Sequence, residues 1–367
     1  MDRRQFIAAA TAAAALSTTA GNLAAAAEPS LDDFVAKALE GTDFGGTVLV
    51  SSRGKTLLRR GYGLADRAFA TPCSSDTVYR IASITKLLTA VVVTRLWDRQ
   101  KIDLDAPIAA YLPDYKGAGA KTVKIRHLLN HTSGIENFDK ALTSFADVAK
   151  VGMPAYQMPH TPRELMDRFG SGPLVNPPGT AFDYNNADYV ILGQIIEAIE
   201  NTLYELVVAR EIIAPLAMAS TRMATRLDII PKLASTYYKD EAAPLTNDLP
   251  AFPENWYAAG GFCSNVDDLL AFANALYGNQ LMPPSRLEAM LAPGLDEYGF
   301  GQWVSKLEVD KREHRFAQRP GRIMGANTLL LRLLDDDATI VILANTNLVD
   351  TDRLGFKIAR QVLRSMA

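Results

Sequence analysis

Apolar positions along the 367-residue chain fall into three regimes. Between Leu31 and Leu39 they recur at helical spacing (Leu31, Phe34, Val35, Ala38, Leu39), which predicts an amphipathic helix. "GGTVLVSSRGKTLLRRGYG" then reads as a hairpin, with a β-branched run, an Arg53-Gly54 turn and a second strand. From about residue 76 to 290 helical patterns dominate, broken by loops such as "GMPAYQMPHTP" and "GSGPLVNPPGT". One helical run, "LLTAVVVTRLW", is apolar on every side and so predicts a helix buried all round. Beyond residue 290, "YGFGQWVS", "REHRFAQ", "NTLLLRLL" and "ATIVILANTN" are strand-like runs spaced by Asp, Gly and Asn. A closing helix from about Asp350 to Met366 follows.

Strands at both chain ends with helices between them predict an α+β fold. One antiparallel sheet is built from about residues 31–75 and 291–367, flanked by the end helices. A mostly helical lobe of about residues 76–290 is inserted between its two parts. The first 27 residues stand outside this scheme. Arg3-Arg4-Gln5-Phe6, an alanine-rich run and small residues ending near Ala27 have the order of a twin-arginine-like export signal. Ser17, Thr18, Thr19, Gly21 and Asn22 interrupt the run before it reaches the ~18 apolar residues of a spanning helix. The expectation is an exported, periplasmic or secreted domain of residues 28–367 with no stable membrane insertion.

Charge narrows the partners. A net charge of −3 without basic runs gives no footing for nucleic acid or an anionic membrane. Cys73 and Cys263 cannot form a disulfide scaffold; they could pair with each other in an oxidising compartment, and two buried or idle thiols are the default reading.

Ser-x-x-Lys occurs twice, at Ser52–Lys55 and Ser83–Lys86. Ser52 and Lys55 straddle the hairpin turn, where nothing stacks the lysine under the serine. Ser83 instead stands at the mouth of the buried helix, which puts Lys86 one turn away on the same face. The helix amino end adds unpaired N–H groups and a positive dipole beside the serine. A serine hydroxyl needs a base within hydrogen-bond reach, and burial favours the neutral, proton-accepting lysine. A plain N-cap serine with an exposed lysine is the competing reading. Tyr184 and Asn186, in "NPPGTAFDYNNADYVILG", form a second candidate pair: a phenol to relay a proton and an amide to hold a substrate carbonyl. Tyr277-Gly278-Asn279 has the same spacing but looks like a helix end.

"IASITK", "LLNHTSGI", "PPGTAFDYNNADYVILG" and "AAGGFCSNVDDLLAFANAL", in that order, resemble the serine β-lactamase and penicillin-binding-protein-like superfamily. Within it, the chain looks most like class C β-lactamases and their esterase and D-aminopeptidase relatives. The resemblance implies Ser83 as nucleophile, Lys86 as its base partner and Tyr184 as a second proton-transfer group, without metal or organic cofactor. It implies Asn186 as a ligand of both substrate and Lys86, and His131-Thr132-Ser133-Gly134 as a structural turn. Where the family has Lys-Thr-Gly or His-x-Gly on the sheet edge, this chain has Arg319-Pro320-Gly321. Arg319 keeps the charge as a substrate-carboxylate ligand, with Gly321 beside it, while Pro320 removes a hydroxyl and a backbone donor. The implied oxyanion hole is the backbone N–H of Ser83 and of Arg322.

The expected function is cleavage of a small-molecule ester or peptide-like amide, ahead of a β-lactam, through a Ser83 acyl-enzyme. A penicillin-binding protein or sensor that acylates without efficient turnover is the first alternative. A zinc hydrolase built on His127 and His131 is a distant second, because the intervening glutamate of the metalloprotease pattern is missing. No Gly-x-Ser-x-Gly elbow is present, and Gly61-Tyr62-Gly63 lacks the third glycine of a phosphate loop.

Overall fold

Strand β1 (Gly46–Ser52) is buried along its whole length, which requires cover on both faces of its sheet. It pairs antiparallel with β2 (Lys55–Tyr62) through the Arg53-Gly54 turn, as the hairpin pattern predicts. Four more strands come from the C-terminal part: β3 (Trp303–Val309), β4 (Arg312–Ile323), β5 (Ala326–Leu333) and β6 (Ala338–Ala344). Together they form one six-stranded sheet in the order β3-β4-β5-β6-β1-β2. The two chain ends meet where β1 lies antiparallel to β6, with Val48 opposite Ile342. Charged Lys55, Arg59 and Arg60 on β2 keep the outer edge from pairing further.

The computed structural model describes residues 30–139, 148, 152–240 and 243–366. The expected export signal lies outside the described residues. Among the described residues no helix is long and apolar enough to cross a membrane.

Alternation along the strands sends side chains to two separate cores. Val48, Val50, Leu329, Leu331, Ile340 and Ile342 pack against α1 (Leu31–Leu39) and α5 (Thr351–Met366). Ser30 caps α1 by accepting the Asp33 N–H at 3.1 Å. The opposite face, including Leu49, Leu330, Val341 and Leu343, joins a larger core built around α2 (Thr85–Asp98), α3 (Asn186–Glu200) and α4 (Val266–Tyr277). Eleven of the fourteen residues of α2 are buried, so this is the helix covered on all sides that its apolar run implies. Each large side chain flanking Lys86 gains about 1.5–3 kcal/mol by burial, which offsets the cost of carrying an amine into the interior.

The terminus of α4 refines an expectation. Gly278 has φ −88° and closes the helix without a left-handed turn. Asn279 takes that conformation instead, at φ 60°.

Candidate active site

Ser83 lies in a single 3₁₀ turn, Ala82–Ile84, immediately before α2, rather than in the first turn of the α-helix itself. Ala82 has φ 47°, a left-handed conformation that costs a non-glycine residue free energy and needs outside support. The support is explicit. Ile81 N–H donates to Phe262 O at 3.0 Å, and Thr328 Oγ1 donates to Ile81 O at 3.0 Å. Phe262 N–H reaches Thr85 Oγ1 at 3.3 Å. From β4, Gly321 presses so close that a Cβ there would stand 2.7 Å from Ile81 O and 2.9 Å from Ser83 N. Only glycine lets the strand approach the nucleophile in this way, so Gly321 serves as a buttress for Ser83.

Lys86 is fully buried, and its Nζ meets three acceptor atoms: Asn186 Oδ1 at 2.7 Å, Ala259 O at 2.8 Å and Ser83 Oγ at 3.1 Å. Asn186 Oδ1 and Ala259 O can only accept, so they claim two N–H groups in either protonation state. The third position therefore faces Ser83, as a donor when the lysine is charged and as a lone pair when it is neutral. Burial, helped by the Arg319 charge, lowers the Lys86 pKa to about 8, within reach of neutrality. The exposed-lysine reading is thereby excluded.

Tyr184 OH is 2.8 Å from Ser83 Oγ and 2.5 Å from Arg319 Nη2. Its backbone is tied down by Asn137 Nδ2, which donates to Tyr184 O at 2.9 Å, and its ring stacks on Trp303. Burial alone would raise the phenol, but the Arg319 and Lys86 charges outweigh it and hold Tyr184 below its ordinary value. An oxygen held between two cations and touching Ser83 can both take and return a proton.

Arg319 departs from its expected task. Its side chain is 1% exposed, and its fork is engaged within the protein: Nε to Ser83 O at 2.7 Å, Nη1 to Tyr298 OH at 2.8 Å, Nη2 to Tyr184 OH. Tyr184, Tyr298 and Trp303 also surround the guanidinium with aromatic rings. It sits behind the reacting atoms and links the nucleophile turn to Tyr184, so it does not offer a two-pronged grip to a substrate carboxylate.

Asn186 also differs in part. Its oxygen holds Lys86 as expected, but its amide nitrogen donates to Asp139 Oδ2 at 2.7 Å and to Tyr156 OH at 3.3 Å. Both amide hydrogens have partners inside the protein, leaving none directed at a substrate carbonyl. Asp139, Tyr156 and Tyr298 escape a sequence reading because no spacing connects them to Ser83 or Tyr184.

The edge-strand expectation holds locally. β4 is the second strand of the sheet, but its pairing with β3 ends at Gln318, opposite Trp303. Residues 319–323 therefore pair only with β5. The β4–β5 hairpin turns through Met324-Gly325 and closes at Ile323 opposite Ala326. The closing pair of a two-residue hairpin exchanges hydrogen bonds, so alternation turns the backbone positions of Pro320 and Arg322 to the open side. Proline there sacrifices no ladder bond, and the Arg322 N–H faces the open side of β4, away from β5.

The His131–Gly134 stretch is the turn it was expected to be. His131 and Gly134 have φ 56° and 70°, and His131 O accepts the Asp183 N–H at 2.9 Å, which seats the Tyr184 loop. His131 Nδ1 lies 2.9 Å from Asp188 Oδ2, both fully buried. Burial pushes the imidazole well below and the carboxyl well above their ordinary values, which favours the uncharged form of each. His127 Nδ1 faces the Lys124 N–H at 3.2 Å, so the two imidazoles serve different local partners. Among the described residues no three His, Cys, Asp or Glu side chains converge to hold a metal. Cys73 and Cys263 are buried free thiols.

The profile of the Beta-lactamase family matches residues 31–363. The chain belongs to the beta-lactamase family. Within it, the chain is 26% identical over 321 residues to a penicillin-binding protein of Bacillus subtilis, covering 82% of this chain and 68% of that one. It is 33% identical over 196 residues to the esterase EstB of Burkholderia gladioli, covering 50% of this chain and 49% of that one. A D-stereospecific amidohydrolase structure from Streptomyces superposes with TM-score 0.73 at 26% identity, covering 86% of this chain and 93% of that one. The chain thus spans about half of the esterase's length. The beta-lactamase family to which it belongs is one of serine hydrolases with esterase and amidase members.

Proposed function

We propose that this protein hydrolyses an ester or small amide through a covalent acyl-enzyme on Ser83. The observation that carries the reading is the convergence on one oxygen: Ser83 Oγ is within reach of both Lys86 Nζ and Tyr184 OH. Ser83 Oγ attacks the substrate carbonyl while its proton passes to the Lys86–Tyr184 pair. The N–H groups of Ser83 and Arg322 receive the oxyanion, a contribution of about 3–4 kcal/mol per donor. The pair then returns the proton to the leaving alcohol or amine. Water attacks the acyl-enzyme, again giving up a proton to the pair, and Ser83 is regenerated.

The commitment of Arg319 to Ser83 and Tyr184 supports a neutral substrate over one recognised by its carboxylate. A short acyl ester or an uncharged peptide-like amide fits this site better than a β-lactam. The similarity to a penicillin-binding protein favours a second reading, acylation without efficient turnover. Residues 1–27 support export of the mature domain.

Steady-state kcat/KM should be compared for a neutral p-nitrophenyl ester, a D-amino-acid p-nitroanilide and a chromogenic cephalosporin. The proposal expects the ester or anilide to exceed the cephalosporin by at least about tenfold, one lost contact being worth ~1.4 kcal/mol. A preference for the cephalosporin would overturn the neutral-substrate assignment. A single stoichiometric burst would establish the second reading.

A further inference from the structure

Lys86 is connected through Asn186 to a half-buried acid. Asn186 Oδ1 accepts from Lys86 Nζ at 2.7 Å, and Asn186 Nδ2 donates to Asp139 Oδ2 at 2.7 Å. The same carboxylate oxygen accepts from Tyr156 OH at 2.6 Å. Tyr156 is held in turn by a parallel stack on Trp256, ring centroids 4.1 Å apart and 6° from coplanar, and by the Phe252 N–H on its carbonyl.

An asparagine amide is nearly symmetric in shape, so its orientation follows from its partners. Here the partners leave no choice. Lys86 presents only donors on one side and Asp139 only acceptors on the other. A flipped amide would set N–H against ammonium and oxygen against carboxylate. We infer that Asp139, steadied by Tyr156, is a positioning residue that locks the Asn186 amide and sets the pH at which Lys86 and Tyr184 exchange the Ser83 proton. This rests on the Ser83 acyl-enzyme reading and adds to it a residue outside the reacting atoms.

The other groups facing Lys86 come from every neighbouring element. Tyr184 and Tyr189 present their rings, and Arg319 approaches from β4. The buried His131–Asp188 pair lies behind. Asp139 is thus the anionic counterpart to Arg319: its charge raises the Lys86 pKa while Arg319 lowers it.

The test uses the full mature protein and a neutral p-nitrophenyl ester. Asp139→Asn keeps an acceptor oxygen for Tyr156 and Asn186 but removes the charge. Losing an anion favours deprotonation of either Lys86 or Tyr184, so the acid limb of the kcat profile should move about half a unit or more to lower pH. The plateau should stay within about threefold, the scale of a retained neutral hydrogen bond. Asp139→Ala frees the amide as well, and kcat should fall at least about tenfold with KM held within about threefold. An unmoved acid limb in Asp139→Asn overturns the inference, even if Asp139→Ala fails to fold. A change confined to KM also overturns it, because that marks a substrate ligand. Labelling of Ser83 by an active-site-directed fluorophosphonate in the wild type separates the two levels. Labelled protein with an unmoved profile defeats only the role of Asp139, whereas absence of label defeats the Ser83 reading itself.

Discussion

Replacing Arg319 by Met removes a buried cation that touches the backbone of the nucleophile and the phenol beside it. Three acceptors lose their donor: Ser83 O, Tyr298 OH and Tyr184 OH. Each stranded group costs about 1–3 kcal/mol, partly offset because a guanidinium no longer has to be desolvated. A net loss near ~3 kcal/mol is expected, visible as a lower urea midpoint. The catalytic effect has a definite sign. Unit charges ~4 Å apart interact by ~4 kcal/mol at an effective dielectric of ~20, an upper bound of about 3 pK units. Arg319 holds both Tyr184 and Lys86 down, so without it both rise. Whichever of the two takes the Ser83 proton, the acid limb of kcat/KM should move about 1–3 units to higher pH. At neutral pH the rate should fall on the order of 100-fold, recovering as the solution is made alkaline. Arg319→Lys should restore part of the pH profile through its charge but not the stability, because an ammonium lacks the three-way fork. The assay is ester hydrolysis from pH 5 to 10 on variants shown to be folded. A folded Arg319→Met variant with an unshifted profile would refute the reasoning.

Two further outcomes follow from single positions. Arg322→Pro removes the outward backbone N–H on the open side of β4, as Pro320 already does two residues earlier, together with the exposed ion pairs to Asp352 and Asp350. Relative to Arg322→Ala, which loses the ion pairs alone, ester kcat should fall about 10²–10³-fold with little change in the far-UV spectrum. A drop under about threefold would remove Arg322 from the oxyanion hole. Glu211 is 7% exposed and paired with Arg95, Arg99 and Arg210. Burial would raise its carboxyl, but Arg99 and Arg95 outweigh that and hold it at about 2. Because the folded value is depressed, the stability it contributes is complete above the ordinary 4.5 and is lost as pH falls toward 2. Glu211→Gln should therefore cost about 2 kcal/mol at pH 7, allowing for the solvent around Arg99, and nothing near pH 2. Equal destabilisation at both pH values would contradict the assignment.

The sheet was legible because its strands carry their own signals. A hairpin turn at Arg53-Gly54 and four strand-like runs near the C-terminus, spaced by Asp, Gly and Asn, need no tertiary information to be recognised, and helix Leu31–Leu39 begins and ends where its periodicity does. Ser83 and Lys86 were readable for a similar reason: one helical turn at the mouth of a largely apolar, buried helix forces them together. Arg319 was found by position but its task was not, because nothing local reveals that the side chain turns inward to Ser83 O and Tyr184. The Asp139–Tyr156 pair was invisible. It joins the site through contacts 47 and 30 residues away from Asn186, which only the folded chain brings about.

The central claim is a covalent intermediate on Ser83. Intact-mass spectrometry after rapid mixing with a p-nitrophenyl ester, quenched in acid at intervals, tests it directly. The account predicts a transient mass increase equal to the acyl group, localised to the peptide containing Ser83. The adduct should decay as p-nitrophenolate release continues, and Ser83→Ala should show neither adduct nor release. Continued turnover by Ser83→Ala, or an adduct on another residue, would contradict it.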